Sequence, residues 1–185
     1  MDDVMDTIYR GIRWFLDKIV GNIAALGLLA GTLFAIAEIV RRYMFGVVFE
    51  WGQDFVIYVI IGSVFFYFAV TQAKRAHLVM SAFTDVLRNR GFGKVVLIAR
   101  IFVSGFSLFF FSFFVYWGHF AVERTYNMGR MSQSMFLPLW PFQLLLLSAF
   151  ALMALVTIFH LYQDIRELMG KKVFEWAPAE IHTDI

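Results

Sequence analysis

Four apolar stretches, each long enough to cross a bilayer, constrain this chain more than any other feature. A hydrocarbon core about 30 Å thick is spanned by roughly 20 apolar residues in a helix. Residues 19–40 lie between Lys18 and Arg41, with Glu38 the only charge inside. Residues 55–73 lie between Asp54 and Lys74, 101–122 between Arg100 and Glu123, and 131–159 between Arg130 and His160, all without a charge. Pro138 and Pro141 suit the first turn of a helix, so the fourth span is predicted to start near Leu139. The expected spans are about 19–40, 55–73, 95–122 and 139–160. Hydrophobic residues make up 61% of the 185 and charged residues 16%, against roughly 25% charged in a soluble domain. A soluble domain of this size cannot hide that much apolar surface, whereas a bilayer covers it. The fold class is therefore an all-α membrane protein with four transmembrane helices, and residues 1–185 read as one integral membrane domain. The polar tail, 175–185, contains Pro178 and is expected to be mobile.

The cationic residues orient the spans. Twelve of the sixteen Lys and Arg lie in the N-terminal segment, the 74–100 connection and the tail; Arg41, Arg42, Arg124 and Arg130 lie in the other two connections. Both termini are thus expected in the cytoplasm. The N-terminus opens with acids, and its apolar run exceeds the roughly 7–15 residues of a signal core, so no cleaved signal is expected.

Two amphipathic surface helices are predicted. Before the first span, Val4, Ile8, Ile12, Phe15 and Ile19 recur every three or four residues, with Asp6, Arg10, Arg13 and Asp17 largely elsewhere. Between spans two and three, Val79, Ala82, Phe83, Val86 and Leu87 make a second apolar stripe, which Gly91 and Gly93 end.

Chemistry is hard to place on this chain. There is no Cys, hence no disulfide, thiolate site or thiol nucleophile. Active carriers mark their sites with intramembrane charges or with helices broken near the midplane. Neither occurs here, and the deep polar residues are mild ones such as Thr32, Ser63, Ser104, Gln143 and Thr157. Glu38 lies about one turn from the outer end of its span, with Arg41 and Arg42 at i+3 and i+4, and is expected to pair with them. His119 and His160 fall at opposite faces of the bilayer, about 30 Å apart, so they cannot share a haem iron. No metal, catalytic or substrate-binding residue and no cofactor is assigned. No basic face supports nucleic-acid binding.

Two features concern packing. Gly27, Gly31 and Ala35 repeat at GxxxG spacing, which lets a second helix approach closely. The third span, with "FSLFFFSFFVYW", carries Phe all round and has no polar face to line a water path. It suits lipid or another apolar membrane protein. The strip 38–55 then reads as an interfacial elbow, anchored by Tyr43, Phe45, Phe49 and Trp51 and ended by Gly46.

Three segments also carry a resemblance: "RRYMFG…EWGQDF", "AVTQAKRAHLVM" after the second span, and "GRMSQSMFLPLWPF" before the fourth. In order and spacing they resemble the small membrane subunit (DctQ-type) of tripartite ATP-independent periplasmic (TRAP) transporters, over nearly the whole chain. Arg42-Tyr43 match the Arg-Tyr after the first span, Trp51 the aromatic opening the second, and His77 the His following it. Gly129, Ser132, Pro138 and Trp140 match the Gly, Ser, Pro and Trp before the fourth. Gln53 and Asp54 stand where the family often has a Glu pair, and Ser81 where it often has an Asp.

The resemblance implies a non-transporting scaffold subunit, not an enzyme, in the bacterial inner membrane. In that family a large elevator-type (M-type) membrane subunit carries the sodium and substrate sites. A periplasmic substrate-binding protein delivers the substrate, typically an organic acid. Those two proteins and membrane lipids are the partners it implies. The alternative is a self-contained four-helix carrier or the membrane anchor of a redox enzyme; a scaffold would copurify with one large membrane protein.

Overall fold

The computed structural model of the chain describes residues 2–74, 93–132 and 136–170, and these are helical with no strand among them. Helix α1 covers Asp2–Trp14 and runs through a π-helical segment, Phe15–Val20, into α2, Gly21–Phe45. Helices α3 (Gly52–Ala73), α4 (Gly93–Asn127) and α5 (Trp140–Leu168) follow. Four of these helical stretches are long and apolar enough to cross a membrane, as expected. Three of them end well past the hydropathy boundary, α2 at Phe45, α4 at Asn127 and α5 at Leu168, while α3 ends at the expected Ala73. At about 1.5 Å per residue α4 is about 52 Å long. It must therefore tilt within, or project beyond, a hydrocarbon layer of about 30 Å.

Helix ends follow local chemistry. Gly46 stops α2 in the left-handed conformation (φ 65°), and Gly129 (φ 58°) does the same after α4. Asp54 sits in the first turn of α3, where the helix dipole favours an anion. Pro141 occupies the first turn of α5, where its missing N–H costs nothing.

The π segment has a packing cause. Leu16, Val20 and Ala24 are buried and Ile12 packs at the edge of the same core, each four residues from the next. Every four-residue step overshoots a 3.6-residue turn by about 40°. A locally wider turn absorbs that drift and keeps the face on its neighbours.

The spans stand in a row, not a closed four-sided bundle. Helix α2 packs antiparallel on α3, α3 lies parallel to α5, and α5 packs antiparallel on α4, while α2 and α4 occupy the two edges without extensive contact. The buried core, Leu16, Val20, Ala69, Val70, Ala73, Met153 and Val156, lies toward the end of the row where α1 arrives. Elsewhere the row is thin, and α4 is its most open member, with Phe102 73% exposed.

Close approach of α2 to α3 rests on the small residues predicted for it. A Cβ at Gly27 would collide with the Ser63 hydroxyl, and one at Gly31 would lie 2.9 Å from Ile60. Ala35 is half-buried one turn further. The GxxxG repeat thus serves the chain's own hairpin.

The helix predicted before the first span also packs a face of its own on the row. The helix is present, continuous with the first span, but the face turned to the row is Tyr9, Leu16 and Val20. Ile8, Phe15 and Ile19 of the predicted stripe point away from it. The second predicted surface helix (Val79, Phe83, Val86, Leu87), together with His77 and the tail 175–185, lies outside the described residues.

Candidate functional site

Polar groups gather at the two ends of the row. At the elbow end Glu38, about two turns before the close of α2, is only 8% exposed. Its Oε1 accepts the Phe49 backbone N–H at 3.2 Å. Gly52 N–H in turn donates to the Phe49 carbonyl at 3.1 Å. A Cβ on Gly52 would sit 3.4 Å from the Glu38 carboxyl carbon, so the glycine lets α3 begin against the carboxylate. The predicted ion pair between Glu38 and Arg41 or Arg42 is not made. Arg41 instead lies 3.6 Å over the Phe49 ring, and Arg42 and Tyr43 are exposed. The physical reason is that the elbow Gly46–Trp51 folds back over α2 and offers Glu38 a backbone donor and Arg41 an aromatic face.

Trp51 belongs to an aromatic cluster with Phe34, Phe49 and Phe55, at centroid distances of 5.0–6.0 Å. Asp54 is half-buried beneath it. The connection from α4 to α5, at the same end, is drawn together by backbone bonds among its described residues. Ser132 N–H donates to Leu137 O at 2.8 Å and Leu139 N–H to Arg130 O at 3.0 Å, while Met131 and Pro138 form an isolated bridge. Tyr126 meets Trp140 edge-on at 5.6 Å. Gly129, Ser132, Pro138 and Trp140 are thus brought together in one structural turn, separate from the elbow. Between the two connections, Tyr58 of α3 stacks on Phe142 of α5 at 4.1 Å.

At the opposite end polar residues clasp every neighbouring pair. Lys74 reaches Asp17 at 3.4 Å, linking α3 to the π segment. Gln72 Nε2 donates to Thr157 Oγ1 at 3.1 Å, linking α3 to α5. Arg100 lies 3.5 Å from Asp164 and 3.9 Å from Glu167, and Ser104 Oγ lies 3.5 Å from Asp164, linking α4 to α5. Tyr9 OH lies 3.1 Å from His160 Nε2 and 3.4 Å from the Ala73 carbonyl. Asp164 is 1% exposed and His160 2%.

The sequence reading missed this layer, because Arg100, His160 and Asp164 look like hydrophilic flanks when hydropathy is read along the chain. One signal was available. The buried stripe of α5, Ala149, Met153, Val156, His160 and Gln163, keeps alternating steps of four and three straight through the polar boundary.

Between the two polar ends the described spans hold no charged side chain. Among the described residues no three His, Asp or Glu gather where they could hold a metal ion. The polar contacts at the two ends hold neighbouring helices together.

The family model for the DctQ component of tripartite ATP-independent periplasmic transporters matches residues 31–167. No curated protein and no solved structure matches the chain at a significant level. The family is a transporter component and not an enzyme family, and with four helices able to cross a bilayer the chain is a multi-pass membrane protein. The match runs from within the first span to the last turn of the fourth and takes in the elbow, the turn before α5 and, at the opposite end, the clasps between α3, α4 and α5; the chain belongs to the DctQ component family of the tripartite ATP-independent periplasmic transporters.

Proposed function

We propose that this chain is the non-transporting scaffold subunit of a sodium-coupled uptake system for an organic acid. It binds and stabilises the large elevator-type membrane subunit, which works with a periplasmic substrate-binding protein. The observation that carries this reading is the row itself. A single layer of helices, uncharged between its two polar ends, has no enclosed polar path for a solute. It does offer two broad apolar faces, with Phe102, Phe106 and Phe109 all exposed on α4. Such faces need covering by lipid or by another membrane protein. The clasps at both ends keep the layer rigid while a partner moves against it.

The same reading places the chain in a bacterial inner membrane, as one integral domain with both termini in the cytoplasm. Arg42 and Tyr43, exposed beside the elbow, stand where headgroups or the partner meet the outer rim.

Reconstitution of the chain alone into sodium-loaded and sodium-free liposomes tests the proposal. The expected result is no sodium-dependent uptake of any organic acid, with uptake appearing only when the large subunit and the binding protein are added. Uptake by the chain alone would overturn it.

A further inference from the structure

The row consists of two hairpins, α2–α3 and α4–α5, which meet along the α3–α5 seam. The seam is built from Gly62 against Leu145, the Tyr58–Phe142 stack, Phe65 against Phe150 and the Gln72–Thr157 bond. Helix α1 belongs to the first hairpin by connection, because it continues α2, yet its Tyr9 reaches the second. Tyr9 is wholly buried, with its ring 5.3 Å from Phe159 and its hydroxyl between His160 Nε2 of α5 and the Ala73 carbonyl of α3. Ala73 is the last residue of α3. Its carbonyl is one of those a helix end leaves without an intrahelical donor.

A phenol has one proton to donate. If His160 Nε2 were unprotonated, that proton would go to the ring nitrogen and the Ala73 carbonyl would lose its donor. Both bonds are made together only when Nε2 carries a hydrogen and donates to the Tyr9 oxygen, leaving the phenol proton for Ala73.

We propose that α1 is a strap across the seam, fastened by the chain His160 Nε2–H to Tyr9 O–H to Ala73 C=O, and that Tyr9 is the positioning residue that holds the two hairpins at a fixed angle. Three helices converge on one hydroxyl, and α1 cannot lift without breaking its bonds to both α5 and α3. Tyr9 lies outside the family match, which covers residues 31–167, and the strap does not depend on the scaffold reading.

The full-length chain in lipid nanodiscs provides the test. It has no Cys, so introduced cysteines label cleanly. A spin label at Gly11, where a side chain meets nothing within 4 Å, and one at the exposed Ile158 report the distance from α1 to α5. The parent chain should give one narrow distance. Tyr9→Phe, which keeps the ring on Phe159, should raise the population of a second, longer distance about fivefold, the change that losing one ordinary hydrogen bond produces. Tyr9→Ala should raise it further. His160→Gln, whose amide still donates, should stay closer to the parent than His160→Leu. Nitrogen-15 spectra of labelled histidine should show His160 protonated at Nε2, with that signal shifting in Tyr9→Phe. Unchanged distances in both Tyr9 variants would overturn the strap, and a proton found only on Nδ1 would overturn the hydrogen-bond chain.

Discussion

The Phe49 backbone N–H points into the carboxylate of Glu38, 3.2 Å from Oε1, across a separation of eleven residues. One bond thus closes the elbow between the first two spans. It puts the only acid of an apolar run to structural use at the head of α3, where the helix dipole also favours negative charge.

Glu38→Ala should therefore destabilise the chain. It leaves the Phe49 N–H without its acceptor, a loss of about 1–3 kcal/mol. Glu38→Gln keeps an acceptor oxygen and should lose less than half of that. Thermal unfolding of the purified chain in detergent measures both. Equal losses would mean that the charge, and not the hydrogen bond, is what matters.

Gly31→Leu should break the α2–α3 hairpin, because even a methyl group there would lie 2.9 Å from Ile60. Overpacking of this kind costs about 1–3 kcal/mol or more. Ala37→Leu, on an exposed face of the same helix, serves as the control and should change stability little. The melting temperatures of the two variants would then separate clearly, and coincident melting would contradict the close approach.

Asp164 and Arg100 should prove energetically coupled. Asp164→Ala removes a buried acceptor and should cost about 1–3 kcal/mol. Arg100→Ala should cost less, since that side chain is 29% exposed. A double-mutant cycle on chain stability should return a coupling of at least about 0.5 kcal/mol. Strict additivity would mean that the 3.5 Å contact contributes nothing.

Arg42 should matter in the complex and not in the isolated chain. It is exposed beside the elbow and does not pair with Glu38. Arg42→Ala should leave the melting temperature unchanged and reduce copurification of the large subunit, with Arg42→Lys milder. Intact assembly with lost sodium coupling would require a direct role in transport.

How much of this was legible beforehand depends on the kind of interaction. The four spans, the starts of α3 and α5, the stop at Gly46 and the Gly27/Gly31 approach rest on local chemistry, and the family resemblance rests on motif order. All of these are written along the chain. Hydropathy reports how favourably a segment leaves water, whichever way each residue faces, so it located the spans and could not say how they stand. The row order, with α3 and α5 inside, follows from which faces interlock. The true partners of Glu38 and Arg41 depended on where the elbow folded back. The clasps at the end away from the elbow join positions as far apart as Tyr9 and His160, separated by 151 residues. In sequence those two are a polar tip on a surface helix and the end of a span. Only tertiary packing, by excluding water from both, turns them into one hydrogen-bonded unit, because a buried polar group must find its partner wherever the fold has placed it.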